Sequence, residues 1–83
     1  MATVKNISMV INNKNGKMNF NNISVEKAMH IIYAHSSHKD QQLIDWDQFL
    51  EQTKILTSML TIGGTHVFPM NYSNSVVYIT RNF

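Results

Sequence analysis

Between Ile44 and Gly64 the chain carries the start, body and stop signals of one amphipathic helix, and no other stretch restricts the fold as tightly. Asp45 has the side chain an N-cap requires, a carboxylate able to accept a bond from an orphaned amide in the first turn. Gln48, three residues on, completes a capping box with it, and Ile44 with Phe49 forms the matching hydrophobic staple. Trp46, Phe49, Leu50, Leu56, Met59 and Leu60 recur at spacings of three and four, which predicts that they share one face. Gly63 and Gly64 are expected to end the helix, because glycine enters the left-handed C′ conformation at little cost.

Strand signals flank this helix on both sides. Residues 3–23 read as a β-hairpin whose turn, Lys14-Asn15-Gly16-Lys17, centres on Asn-Gly. That pair favours a type I′ turn, in which both central residues take positive φ. Pairing Lys14 with Lys17 sets Ile11 opposite Phe20 and Met9 opposite Asn22. Ile7, Met9, Ile11, Met18 and Phe20 then share a face, as the strand period of two demands. The other face is polar, rich in Asn, with Val10 and Ile23 as its apolar exceptions.

Ser24 is the expected N-cap of a further helix, running through Val25, Ala28, Met29, Ile32 and Tyr33, with Glu26 placed to suit the positive end of its dipole. Residues 36–40 form a polar break, and residues 41–44 fit either a loop or an extra helical turn. After Gly64, residues 67–72 and 75–80 make a second hairpin around Ser73-Asn74. Pairing Tyr72 with Ser75 sets Met70 opposite Val77 and Phe68 opposite Ile79. Pro69 falls on the opposite face and cannot donate to a ladder, so its strand belongs at a sheet edge or carries a bulge.

The predicted fold class is therefore α+β in the order ββααββ, a single domain over residues 1–83. Its economical form is an antiparallel four-stranded sheet built from two hairpins, with both helices packed on the apolar face. The pattern leaves the strand order open, and two separate two-stranded sheets are the alternative. With 83 residues, 43% of them apolar, there is core enough for one domain and little more. Charged residues make up 14%, below the usual quarter, so neutral polar groups must carry much of the surface. The chain has no cysteine, which removes disulfides and thiolate zinc sites.

The first residues lack the basic start and apolar run of a signal peptide, and no apolar stretch reaches the ~18 residues of a membrane span. A soluble, cytoplasmic protein is the expectation, and on that basis the sequons at Asn6, Asn22 and Asn71 are chance products of an Asn-rich chain. Charge is unevenly spread. Lys5, Lys14 and Lys17 give residues 1–23 a balance of +3, whereas three lysines against Glu26, Asp40, Asp45, Asp47 and Glu51 give residues 24–62 a balance of −2.

No catalytic or metal motif emerges. His30, His35 and His38 are spaced five and three apart, off the same-face i, i+4 pair of helical zinc sites. No nucleophile-elbow pattern accompanies the serines. Asp45 is accounted for as a cap, and Asp47 with Glu51 as a solvated helix face. Gly63-Gly64 closes a helix, whereas phosphate-cradling glycines open one. The expectation is a protein that is not an enzyme and needs no cofactor or metal.

Two binding surfaces remain. The outer face of the sheet, with Val10, Asn19, Asn21, Val76 and Tyr78, offers aromatic and amide contacts at low charge, suited to a protein partner. Lys5, Lys14, Lys17 and Arg81 would form a small basic surface for nucleic acid if the fold gathered them. A homo-oligomer joined through a sheet edge is a further possibility. In its general look, short, rich in Asn, Ile and Lys, without Cys or catalytic motifs, the chain resembles small accessory proteins of phages and mobile elements from AT-rich genomes. The resemblance implies action by stoichiometric binding, such as inhibition of a host enzyme or of a defence complex like a CRISPR effector. A nucleic-acid-binding regulator and a structural or assembly protein are the alternatives.

Overall fold

The computed structural model describes residues 7–70 and 73–82. Four strands and three helices follow in the order β1 (Ile7–Asn13), β2 (Gly16–Ile23), α1 (Val25–His35), α2 (His38–Leu43), α3 (Trp46–Met59), β3 (Thr65–Met70) and β4 (Ser75–Arg81). The strands form one antiparallel sheet in the order β2-β1-β4-β3. The α+β architecture with helices on one face of a four-stranded sheet is thus as the sequence predicts. The helix count differs: residues 38–43 fold as α2, capped by the Ser37 hydroxyl, which accepts from the Asp40 amide at 3.3 Å. His38 is the first residue of that helix.

The two more buried strands, β1 and β4, lie at the centre of the sheet. β1 and β4 alternate buried and half-buried positions along most of their length, while β2 and β3 are largely exposed on one side. The two central strands pair from Ile7↔Arg81 to Asn13↔Ser75 and join the hairpins into one sheet. Pro69 lies on β3, at the edge.

Both hairpins differ from the predicted register by two residues. In the first, Ile11 faces Met18 and Met9 faces Phe20, not Phe20 and Asn22. The turn is correspondingly Asn13-Lys14-Asn15-Gly16, with φ positive at Gly16 alone of the four. The Asn13 side chain decides this, because its Oδ1 accepts the Asn15 amide at 2.8 Å in an Asx-turn one position ahead of the Asn-Gly pair. In the second hairpin Phe68 faces Val77 and Met70 faces Ser75; Tyr72 lies outside the described residues. A two-residue slip leaves each side chain on its original face, so the apolar face survives intact.

A bulge corrects a further detail. Asn21 and Asn22 of β2 together oppose Ser8, and Asn22 takes φ +55°, which asparagine tolerates better than most residues. The extra residue turns Ile23 from the outer face, where strict alternation predicts it, to the core side opposite Ile7.

The core joins Ile7, Met9 and Ile11 of β1 and Val77 and Ile79 of β4 to Val25, Ala28 and Ile32 of α1. Phe20, Phe49, Leu50 and Phe68 pack around it. The caps at Ser24 and Asp45 form as expected, accepting the Lys27 and Gln48 amides at 3.0 and 3.2 Å. Tyr33, placed on the α1 apolar face by its spacing, is 46% exposed.

The buried side of α3 is rotated from prediction. Met59 is 75% exposed, whereas Thr53 and Thr57 are each 1% exposed. Their hydroxyls donate to the Phe49 and Thr53 carbonyls at 2.7 Å, which satisfies the polar atom locally and leaves the methyl for packing. Nor do the glycines cap the helix. Leu60 is the C-cap residue, and Gly63 and Gly64 instead begin the pairing with β4, through Gly63 amide to Arg81 carbonyl (2.8 Å) and Arg81 amide to Gly64 carbonyl (3.0 Å).

Candidate protein-binding face

The helices cover one side of the sheet, and among the described residues no element covers the other. Alternation along β1 and β4 aims Val10, Asn12, Val76, Tyr78 and Thr80 away from the core. Register then sets these into rows across the strands. One row reads Asn19, Val10, Tyr78, Val67, and the next reads Lys17, Asn12, Val76, Pro69. At the far end Thr65 pairs with Thr80, their hydroxyls 2.9 Å apart.

The structure therefore brings Val10, Asn19, Val76 and Tyr78 into adjacent positions, while Asn21 lies at the bulge that ends β2. It adds two residues that the sequence reading did not include in the surface. Val67, 47% exposed, borders Tyr78, and Pro69 borders Val76. Alternation of Phe68 and Met70 with Val67 and Pro69 was the available signal. The result is an apolar centre of Val10, Val67, Pro69, Val76 and Tyr78 with a rim of Asn, Ser and Thr. Val67 and Pro69 are exposed and Val10, Val76 and Tyr78 half-buried, so the apolar cluster is only partly open to solvent, with Lys17 beside its polar rim.

Its electrostatics are one-sided. All five carboxylates of the chain, Glu26, Asp40, Asp45, Asp47 and Glu51, lie in the helical half or at a helix cap. Lys17 stands on the outer face opposite Asn12, and Lys14 sits in the adjoining turn.

The described cations proposed for nucleic acid do not gather: Lys14 and Lys17 share one hairpin end and Arg81 stands apart from them. Lys5 is outside the described residues. Arg81 is at the opposite end of the sheet from the Lys14 turn, six residues along β1 or roughly 20 Å. Its guanidinium donates to the Ser58 and Leu60 carbonyls at 2.8 and 2.7 Å, serving the C-terminus of α3. The sheet edges are also guarded against strand addition, β3 by Pro69 and β2 by its bulge and Lys17.

Among the described residues no group of three His, Asp or Glu side chains stands close enough to hold a metal ion. No helix there is long and apolar enough to cross a membrane. Comparison with protein families, curated proteins and solved structures finds no match to this chain.

Proposed function

We propose that this protein acts by stoichiometric binding, using the outer face of its sheet to cover a surface of a partner protein. The observation that carries the reading is the uncovered apolar cluster of Val10, Val67, Val76 and Tyr78, held on a rigid sheet whose edges are blunted. A sheet face presents these side chains without a loop to order on binding, which lowers the entropic cost of association. Because the face carries Lys17 and no carboxylate, the matching partner surface is apolar at its centre and neutral to acidic at its rim. In this reading the protein is not an enzyme. It is an accessory protein of a phage or mobile element that works in the host cytoplasm, and its partner is a host enzyme or defence complex, a CRISPR effector being one example, whose function it blocks by occupancy.

The test is capture of the partner from host lysate by the tagged protein, with nuclease present, followed by reconstitution with the purified partner. Val67→Asp and Tyr78→Ala are expected to abolish a one-to-one complex, while Met59→Asp, which alters an exposed apolar residue of the helical layer, leaves it intact. Equal binding by all three variants would sink the outer-face assignment. Capture that nuclease removes and that Lys14→Glu with Lys17→Glu eliminates would replace it with the nucleic-acid reading.

A further inference from the structure

On the other side of the molecule a groove of about 410 Å³ runs between α1 and α3. Met29 and Leu50 contribute apolar lining, Tyr33 and Trp46 contribute aromatic rings, and Glu26 and Asp47 bring carboxylates to the same cavity. The two rings meet edge to face, with centroids 5.0 Å apart and planes at 78°, so they form two walls of a corner. The indole N–H of Trp46 is already committed, donating to the Gln41 carbonyl at 3.0 Å. That bond, with the packing of Tyr33 on one side and Phe49 at 5.8 Å, fixes the ring, and the part that lines the groove offers a ligand aromatic surface and no donor.

Aromatic faces carry negative quadrupole potential and attract cations within about 6 Å of the ring centre. The carboxylates act in the same sense. Glu26 shares its charge with Lys54 at 3.0 Å, whereas Asp47 has no ion pair within the described residues. His30 completes the lining and adds no carboxylate. An apolar groove with π walls and an unneutralised acid complements a cation on an apolar stem. Among such groups guanidinium fits best, because its plane stacks on aromatic faces while its N–H groups reach a carboxylate.

We infer that the α1–α3 groove receives an arginine side chain of a partner polypeptide, stacked on Trp46 and paired with Asp47. The site is independent of the outer sheet face, which lies across the sheet from it, and the proposal stands whether or not that face binds protein.

Trp46 is the single tryptophan of the chain, so its fluorescence reports this groove and no other. Titration with Nα-acetylarginine amide should give a saturable change in Trp46 emission. Nα-acetylcitrulline amide, of the same shape but uncharged, should bind about tenfold more weakly, through loss of the cation–π and ion-pair contributions. Methylguanidinium, which lacks the stem, should also bind about fivefold or more weakly, through lost apolar contact. Asp47→Asn, at an exposed position, should weaken the arginine probe about two- to fivefold with unchanged melting, and Tyr33→Ala should weaken it further while lowering the melting temperature, because it removes the ring packed on Trp46. Equal binding of the arginine and citrulline probes, or full affinity in Asp47→Asn, would overturn the cation site. Methylguanidinium binding as tightly as the arginine probe would overturn the assignment to a polypeptide side chain.

Discussion

The Ser73 hydroxyl donates to the carboxylate of Asp40, 33 positions earlier in the chain, and so ties α2 to the connection between β3 and β4. Asp40 is only 4% exposed, and Ser37 belongs to the same network, its amide donating to the Ser73 oxygen at 2.8 Å. A buried carboxylate is tolerated only when its oxygens find donors. Either Asp40→Ala or Ser73→Ala should therefore destabilise by about 1–3 kcal/mol in urea unfolding, each leaving a polar partner unsatisfied. The double variant should show a coupling energy above ~0.5 kcal/mol. Additive losses would mean that the two residues act separately.

Arg81 is expected to behave as a structural residue. Its guanidinium spans two carbonyls at the end of α3, a region where the helix has no further amides to supply. Arg81→Met should cost about 1–3 kcal/mol, and Arg81→Lys should recover most of this, because both carbonyls are met by the single nitrogen Nη1 and an ammonium can also donate to two acceptors. Lys14→Met, in the exposed hairpin turn, should stay within about 0.5 kcal/mol of the parent protein. Similar losses at both positions would refute the distinction.

Thr57 should tolerate valine. Its hydroxyl serves a carbonyl of its own helix, so removing it leaves that carbonyl with the helical amide bond and keeps the side-chain volume. Thr57→Val is expected to be neutral or to stabilise by up to ~1 kcal/mol, while Thr57→Ala, which removes a buried methyl, should cost about 1 kcal/mol. Thermal or urea unfolding of the two variants separates these outcomes, and a loss above ~1 kcal/mol for valine would show that the hydroxyl is required.

The Glu26–Lys54 pair should leave a signature in the pH dependence of stability. The hydrogen bond from Lys54, seconded by a bond to its own backbone amide, holds the Glu26 carboxyl below its ordinary value of 4.5. The same pairing lifts Lys54 above 10.5. A depressed acid stabilises above its unfolded value and loses this as the pH falls through its folded value. A raised lysine stabilises below its unfolded value and loses this as the pH rises through its folded value. The pair thus acts fully between about 4.5 and 10.5. Glu26→Gln should lower Tm slightly at pH 7, as befits an exposed pair, with the gap closing below about pH 4 and in ~1 M salt. A gap unchanged at pH 3 would assign the loss to something other than charge.

Much of the fold was legible because its signals are local. Ser24 and Asp45 cap their helices through bonds spanning three residues, and the alternation of Met9, Ile11, Val77 and Ile79 fixes which side of each strand is buried. The candidate face was legible for the same reason, since Val10, Val76 and Tyr78 are the remaining half of that alternation. Strand order was legible only in part: Pro69 points to an edge for β3, whereas the polar outer residues Ser8 and Asn12 do not mark β1 as central. The α1–α3 groove was not readable, because the Trp46, Tyr33 and Met29 that line it look in sequence like ordinary core positions.

By itself the sequence determined the number of strands, the starts of α1 and α3 and the face of nearly every strand residue. Tertiary structure decided the rest. A pattern of period two is unchanged by a slip of two, so each hairpin register waited on its turn and on the β1–β4 pairing. Which side of α3 is buried depended on two threonines whose hydroxyls are satisfied within the helix. The roles of Asp40 and Arg81 depended on partners 33 and 21 positions away, Ser73 and Leu60, and a charged side chain carries no local mark of the distant group that will receive it.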